Sequence, residues 1–277
     1  MKKIVVPNNI NNIDEFIKIG ADAFIFALKD FSIGYNNYLN IEEIKEITKK
    51  YKDIEFFVSI NKNIFNHELK ELEKILIELN ILNIKGILFY DIALIELKNK
   101  LNLTVGLVWN QNYMVTNYNT CNYYFDKGVK YGVLSEEITI EEMLEIKDKT
   151  KMSLMTHILY NPLVSITKRK LLTNYFKDIN EEFDGNIKTL KEKDKEYIIK
   201  EEKEGNSIFC KDIVNGYEAY KILKNKIDYV IFNQDFMDEE NFLTLFKNFM
   251  DENEDAIEKQ IGKYDGFFYT RTIYKVR

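Results

Sequence analysis

Short apolar runs alternate with stretches of helical apolar spacing along nearly the whole chain, and this rhythm leaves few folds open to it. Eight runs read as strands, over residues 4–7 (IVVP), 23–28, 55–61 (EFFVSIN), 86–90 (GILFY), 103–109, 131–134, 153–159 and 229–232. Helices are expected over 14–19, 40–51, 66–80, 92–100, 117–127, 139–149, 215–223 and 239–250. In the third of these, Leu69, Leu72, Leu76 and Leu79 fall on one side, and Asn40 stands where the second needs a cap. Strands that alternate with helices run parallel through right-handed crossovers. Eight such units favour an α/β (β/α)8 TIM-like barrel over an open doubly wound sheet. No G-x-G-x-x-G follows the first strand and no G-K-[ST] loop is present, so the two commonest nucleotide-binding readings of an open sheet lose their support.

The rhythm breaks after strand seven. Residues 164–212 form a charged insertion in which 197–201 (YIIKE) and 207–210 (SIFC), flanking Gly205, are placed to pair as a hairpin. At the end, a solvated stretch (DENEDAIEKQ) precedes GFFYTRTIYKVR, which is too apolar for a frayed terminus. Residues 253–277 are therefore expected to pack back on the body, and 1–277 to form a single barrel domain. Apolar residues at 45% supply a sizeable core. A net charge of −6 and a pI near 5.3 exclude a broadly basic nucleic-acid surface but leave room for a local basic patch. The abundance of Asn and Lys reads as base-composition drift, not chemistry. Two cysteines, Cys121 and Cys210, point to a reducing compartment. The apolar run in MKKIVVPNNINN is too short for a secretory signal, and no window approaches the roughly 18 apolar residues of a membrane span. A cytoplasmic location without a membrane partner is the expectation.

In a barrel, chemistry sits at the C-terminal ends of the strands and in the loops after them. That rule selects Asn8, Asn61, Lys62, Asp91, Asn110, Gln111, Asn112, Glu136, Glu137, His157, Arg169, Asn233, Gln234 and Asp235. Glu136 and Glu137 suit a general base or, with Asp91, a hard-cation site; equally, Glu137 suits a helix start and Asp91 an N-cap. His157 is either an acid–base group or a hydrogen-bonded core histidine. Lys168-Arg169-Lys170 either binds an anion or forms a solvated charge run. Two histidines and no H-E-x-x-H leave a zinc hydrolase short of ligands. Cys121 and Cys210 read as small apolar residues, and no G-x-S-x-G elbow is present. No nucleophile is identified.

Several segments, taken in order, carry a resemblance. They are Gly20-Ala21-Asp22-Ala23 with Phe31-Ser32, then 61–66 (NKNIFN), 86–91 (GILFYD), 114–117 (MVTN) and 134–137 (LSEE). Most specific is 167–175 (TKRKLLTNY), and 266–274 closes the set. Together they resemble the collagenase-like peptidase family, the U-32 peptidases, particularly the short versions of Firmicutes. The resemblance implies a (β/α)8-related barrel and peptide hydrolysis on a peptide or protein substrate. Glu136, Arg169 and Asp91 would be catalytic, with Asn61, Asn117, Lys168, Lys170 and His157 binding substrate. Glu136 would act as base or metal ligand, and Arg169 would hold a substrate carboxylate or oxyanion. Some members of the family are linked instead to hydroxylation of RNA bases or ubiquinone precursors, and those carry iron–sulfur cysteines. One such Cys follows the Arg that matches Arg169, where this chain has Lys170. Two cysteines cannot complete a four-Cys cluster, so no cofactor is expected. The chain also lacks the family's Gly near Leu159 and Tyr160, its basic residue and carboxylate around Ile231 and Asn233, and its Arg near Gly34. Two further readings follow, a cluster-free partner in RNA or cofactor modification and a non-catalytic binding barrel.

Overall fold

The structure, a computed structural model, describes residues 1–271. Its first half contains β1 (Lys2–Val6), α1 (Ile13–Ile19), β2 (Ala23–Leu28), β3 (Tyr38–Leu39), α2 (Ile41–Lys50), β4 (Glu55–Ile60), α3 (Leu69–Ile81), β5 (Gly86–Phe89), α4 (Ala93–Lys100), β6 (Gly106–Trp109) and α5 (Tyr118–Asp126). Then come β7 (Tyr131–Val133), α6 (Ile140–Lys149), β8 (Ser153–Tyr160), β9 (Leu163–Thr167), α7 (Leu171–Asp178), β10 (Ile187–Glu192), β11 (Lys195–Glu202) and β12 (Gly205–Cys210). The chain ends through β13 (Val214–Asn215), α8 (Tyr217–Leu223), β14 (Tyr229–Asn233), α9 (Glu239–Met250) and α10 (Glu254–Ile261).

Eight parallel strands close a ring in the order β1, β2, β4, β5, β6, β7, β8, β14 and back to β1. Ile4 marks the closure, lying opposite Ala23 on one side and Ile231 on the other. Such strands are covered on both faces, which is why β2 reads as the unbroken apolar run AFIFAL and is buried throughout. Inside the ring pack Ile4, Ile25, Phe57, Leu88, Val108, Met155 and Ile231. Outside it, between strands and helices, lies the larger core, where Phe16 of α1, Phe232 of β14 and Phe246 of α9 meet. The fold is the expected (β/α)8 barrel.

Several boundaries differ from expectation, two of them by three residues. The strand expected over 103–109 pairs only from Gly106, because the chain leaves α4 through Asn102 in a left-handed conformation (φ 52°). The helix expected from residue 66 begins at Leu69. The 197–201 and 207–210 segments pair antiparallel, with Ile198 opposite Phe209. They form the middle of a four-stranded sheet in the order β10, β11, β12, β9.

This sheet is fastened to the loops at the C-terminal end of the barrel. Lys200, buried, donates to the Tyr35 carbonyl and to Asn36 Oδ1 (2.8 Å) and pairs with Glu202 at 2.8 Å. Glu202 accepts from the Gly34 amide (2.8 Å) and the Tyr38 hydroxyl (2.7 Å). Lys62, also buried, bridges Glu68 (2.7 Å) on the barrel side and Glu204 (3.0 Å) in the β11–β12 turn. At the other end of the chain, Phe268 is buried in the main core and its carbonyl accepts from the Ile140 amide at 3.0 Å. The rest of the apolar tail, 272–277, lies outside the described residues. Among those described, no helix is long and apolar enough to cross a membrane.

Phe246 has no exposed surface and its ring lies 5.1 Å from that of Phe232. Phe246→Ala is expected to destabilise the protein by about 3–5 kcal/mol, read as a lowered urea midpoint with an unchanged m-value.

Candidate active site at the barrel mouth

Three strand exits converge under the sheet. β7 ends at Val133, and the chain turns through Ser135, whose hydroxyl accepts from the Glu137 amide (3.2 Å). That turn sets Glu136 at the mouth. His157 lies on β8 next to an irregularity in its pairing with β14, where the register slips between Ile231 and Phe232. Such a slip re-aims neighbouring side chains. From the end of β14 come Asn233 and, two residues on, Asp235, held at φ 44°. The Asp235 carboxylate accepts from the Asn161 amide at 2.8 Å. Glu136, His157, Asn161, Asn233 and Asp235 share a small cavity of about 70 Å³ with Tyr35, Asn61, Asn110 and Asn112. Leu163 of β9 and Phe209 of β12 line it from the sheet.

Burial dominates the electrostatics. It pushes Glu136 up to about 8, with repulsion from Asp235 and Glu137 adding and the Leu163 amide opposing. It pushes His157 down to about 4, against a smaller upward pull from the Asn233 side chain. Asp235 rises to about 6, opposed by the Asn161 amide, Asn233 and Lys200. Near pH 7 the mouth therefore holds a protonated Glu136, a neutral His157 and an ionised Asp235. His157 Nε2 and Glu136 Oε1 are 4.0 Å apart, too far for a direct hydrogen bond. With both groups neutral, this is not an ion pair. His157 Nδ1 and Asn233 Oδ1 are buried and make no hydrogen bond of good geometry within the protein, although the Asn233 side chain is near enough to pull the His157 pKa upward. Glu136 can donate a proton, His157 can accept one, and the asparagine amides can do both.

Beside the mouth lies a groove of about 240 Å³, and Asn61, Asn112 and Leu163 line both. The far part of the groove runs along β9 past Tyr90, Tyr113 and Lys168.

The residues singled out from the sequence separate into two groups. Glu136, His157, Asn61, Asn110, Asn112, Asn233 and Asp235 come together at the mouth, and Asn61 also braces the β2–β3 loop by exchanging hydrogen bonds with Ile33 (2.9 and 3.0 Å). The others lie outside the cavity. Asp91 accepts from the Ile64 and Ala93 amides, both at 3.0 Å, and so ties two loops at the start of α4. Asn117 caps α5 through the Thr120 amide (2.9 Å). Lys170 donates to the Glu202 carbonyl, and the Lys168 ammonium sits 3.6 Å from the Phe65 ring centre. Arg169 is exposed, lines neither cavity, and its guanidinium makes no ion pair among the described residues. Sequence reasoning missed Tyr35 and Asn161. The turn signal Asn161-Pro162 directly after a long strand was available for the second. Burial raises both thiols, Cys121 to about 11, and neither lines the mouth. Among the described residues no three His, Cys, Asp or Glu side chains are grouped to hold a metal ion.

The shifts fix a sign for stability. The native state keeps a proton on Glu136 that the unfolded chain loses near 4.5. The stability linked to it is fully present below 4.5 and is lost as pH rises through about 8. His157 acts oppositely, penalising the native state as pH falls from 6.5 towards 4. Asp235, raised to about 6, acts in the same direction as Glu136 and is nearly spent by pH 7, which leaves Glu136 the main titrating group of the three between 7 and 8. The urea midpoint is expected to fall across that window, and Glu136→Gln to flatten the fall.

A family model, peptidase family U32, matches residues 8–225. The chain is 26% identical over 201 residues to tRNA hydroxylation protein P2 of Bacillus subtilis (strain 168), covering 71% of this chain and 63% of that protein. It is 24% identical over 171 residues to tRNA hydroxylation protein P1 of the same organism, covering 60% of this chain and 40% of that protein. The matches thus span 63% and 40% of the length of these curated relatives. Among solved structures, the U32 peptidase Mk0906 is similar with a TM-score of 0.54 at 13% identity, covering 84% of this chain and 92% of that one. Phosphoribosyl anthranilate isomerase from Thermus thermophilus gives 0.51 at 7%, covering 91% and 99%. At such identities these two show the fold alone. The family match takes in the strands that bring Glu136 and His157 to the mouth, and the chain belongs to peptidase family U32.

Proposed function

We propose that this protein takes part in hydroxylation of a tRNA base, holding the base at the barrel mouth, and does not hydrolyse peptides. The observation that carries the reading is the make-up of the mouth. Near neutral pH, a protonated Glu136, a neutral His157 and the amides of Asn61, Asn110, Asn112 and Asn233 offer mixed donors and acceptors. A nucleobase edge presents the complementary mixture. The relatives named tRNA hydroxylation proteins support the same direction. Peptide hydrolysis has less to rest on, since among the described residues no Ser, Thr or Cys lines the cavity and Arg169 does not line it. In this reading Glu136 donates a hydrogen bond or proton to the bound base, and His157 and Asn233 offer their unpartnered atoms to it. Asp235, tied to the Asn161 amide, positions Asn161 at the mouth.

Nucleoside mass spectrometry of total tRNA from a deletion strain tests it. A hydroxylated nucleoside is expected to disappear, to return with the wild-type gene, and to fall on the order of 100-fold in the Glu136→Gln strain. An unchanged nucleoside profile, together with Glu136-dependent cleavage of a peptide library by the purified protein, would restore the peptidase reading.

A further inference from the structure

The groove beside the mouth has a construction that the reading of the mouth does not use. Its walls present aromatic faces to solvent, with Tyr90 36% and Tyr113 46% exposed, and Phe65 (46%) stands at its edge. The Tyr113 and Phe65 side chains are held by contacts of their own, and Tyr90 is tied through its backbone. The Tyr113 hydroxyl donates to the Leu163 carbonyl (2.5 Å) and sits 2.9 Å from that of Val164, which fixes the ring against β9. Gln111 accepts from the Trp109 indole (2.8 Å) and donates to the Tyr90 carbonyl, joining the β5 and β6 exits. Phe65 carries the Lys168 ammonium on its face, 3.6 Å from the ring centre. Exposed rings gathered along one groove, one of them fixed by its hydroxyl, offer flat apolar surface on which a planar group can stack.

Charge at the groove is also uneven. Lys62 pairs with both Glu68 and Glu204, at 2.7 and 3.0 Å, and offsets one of their two negative charges. Lys168, which lines the groove, and the exposed Arg169 beside it supply the excess positive charge. Rings that can stack, with one cation on the wall and another just outside it, are the two parts of a single-strand nucleic-acid site, and such a site works on a protein of acidic pI because the charge is local.

We infer that the groove along β9 is a track for single-stranded RNA, in which Tyr90 and Tyr113 stack bases, Lys168 and Arg169 contact phosphates, and one base passes into the mouth. The inference rests on the proposed tRNA function and names the part of the tRNA bound: an unpaired segment, since bases inside a duplex cannot reach the rings. Asn61 and Asn112 line both groove and mouth and mark where the two adjoin.

Fluorescence anisotropy of the full chain with a labelled eight-nucleotide oligouridylate reads the inference. Saturable binding is expected, with a matched RNA duplex binding at least tenfold more weakly. Tyr113→Ala and, separately, Tyr90→Ala should weaken binding about tenfold, the loss of one stacked base. Tyr113→Phe keeps the ring and should bind within about twofold of wild type, which guards against a variant that merely unsettles β9. Arg169→Gln should weaken binding and lower the slope of log affinity against log salt by about 1. Equal binding of single strand and duplex, or tyrosine variants that bind as wild type does, would overturn the track. The two levels separate cleanly. Variants that bind normally and restore the nucleoside in a deletion strain sink the track alone. Stacking-dependent binding with an unchanged nucleoside profile sinks the tRNA hydroxylation reading alone.

Discussion

Two lysines with almost no exposure fasten the antiparallel sheet to the barrel. Lys200 places its ammonium among the Tyr35 carbonyl, Asn36 and Glu202, and Lys62 places its own between Glu68 and Glu204. A buried ammonium is tolerated only when its hydrogen-bonding capacity is met, and removing a partner leaves an uncompensated charge. The sheet therefore has one well-defined seat, over the loops that follow β2 and β4. From that seat Leu163 and Phe209 reach the mouth and shed water from it. The displaced titration of Glu136, His157 and Asp235 has burial as its leading cause in each case, so the chemistry of the mouth is a consequence of how the sheet is held.

A family name and a fold do not by themselves fix a reaction. The same barrel shape is shared with an isomerase at 7% identity. What separates the readings for this chain is the local inventory. The mouth has groups that titrate away from their charged forms and amides that recognise without reacting, and beside it lies a groove with exposed rings. Those features suit the holding of an uncharged planar group on a tethered strand better than attack on a peptide bond.

The barrel was legible in the sequence because parallel strands buried on both faces must be apolar along their length, as 23–28 and 229–232 are. The β11–β12 hairpin was legible for a related reason, since Ile198 and Phe209 face the protein across Gly205. The outer strands were not. Every residue of β10 is exposed, so IKTLKE carries no burial pattern to read. At the site, the strand-end rule reached Glu136, His157, Asn61, Asn233 and Asp235. It left Asp91 open between an N-cap and a site residue, which occupy the same positions in sequence, and the resemblance offered Asn117 as a site residue; both spend their side chains on backbone amides. Nor could it place Arg169, whose direction depends on a sheet formed by residues some forty positions away, Asn206 of β12 accepting the load by donating to the Arg169 carbonyl.

Infrared difference spectroscopy of the wild type against Glu136→Gln at pH 7 asks whether the roofed mouth keeps its carboxyl group neutral. A protonated carboxyl stretch that disappears in the variant, and converts to carboxylate only as pH passes about 8, is the expected result. A carboxylate band already present at pH 6, with no protonated stretch to lose, would mean that water reaches Glu136 freely. The sheet would then not govern the chemistry of the mouth.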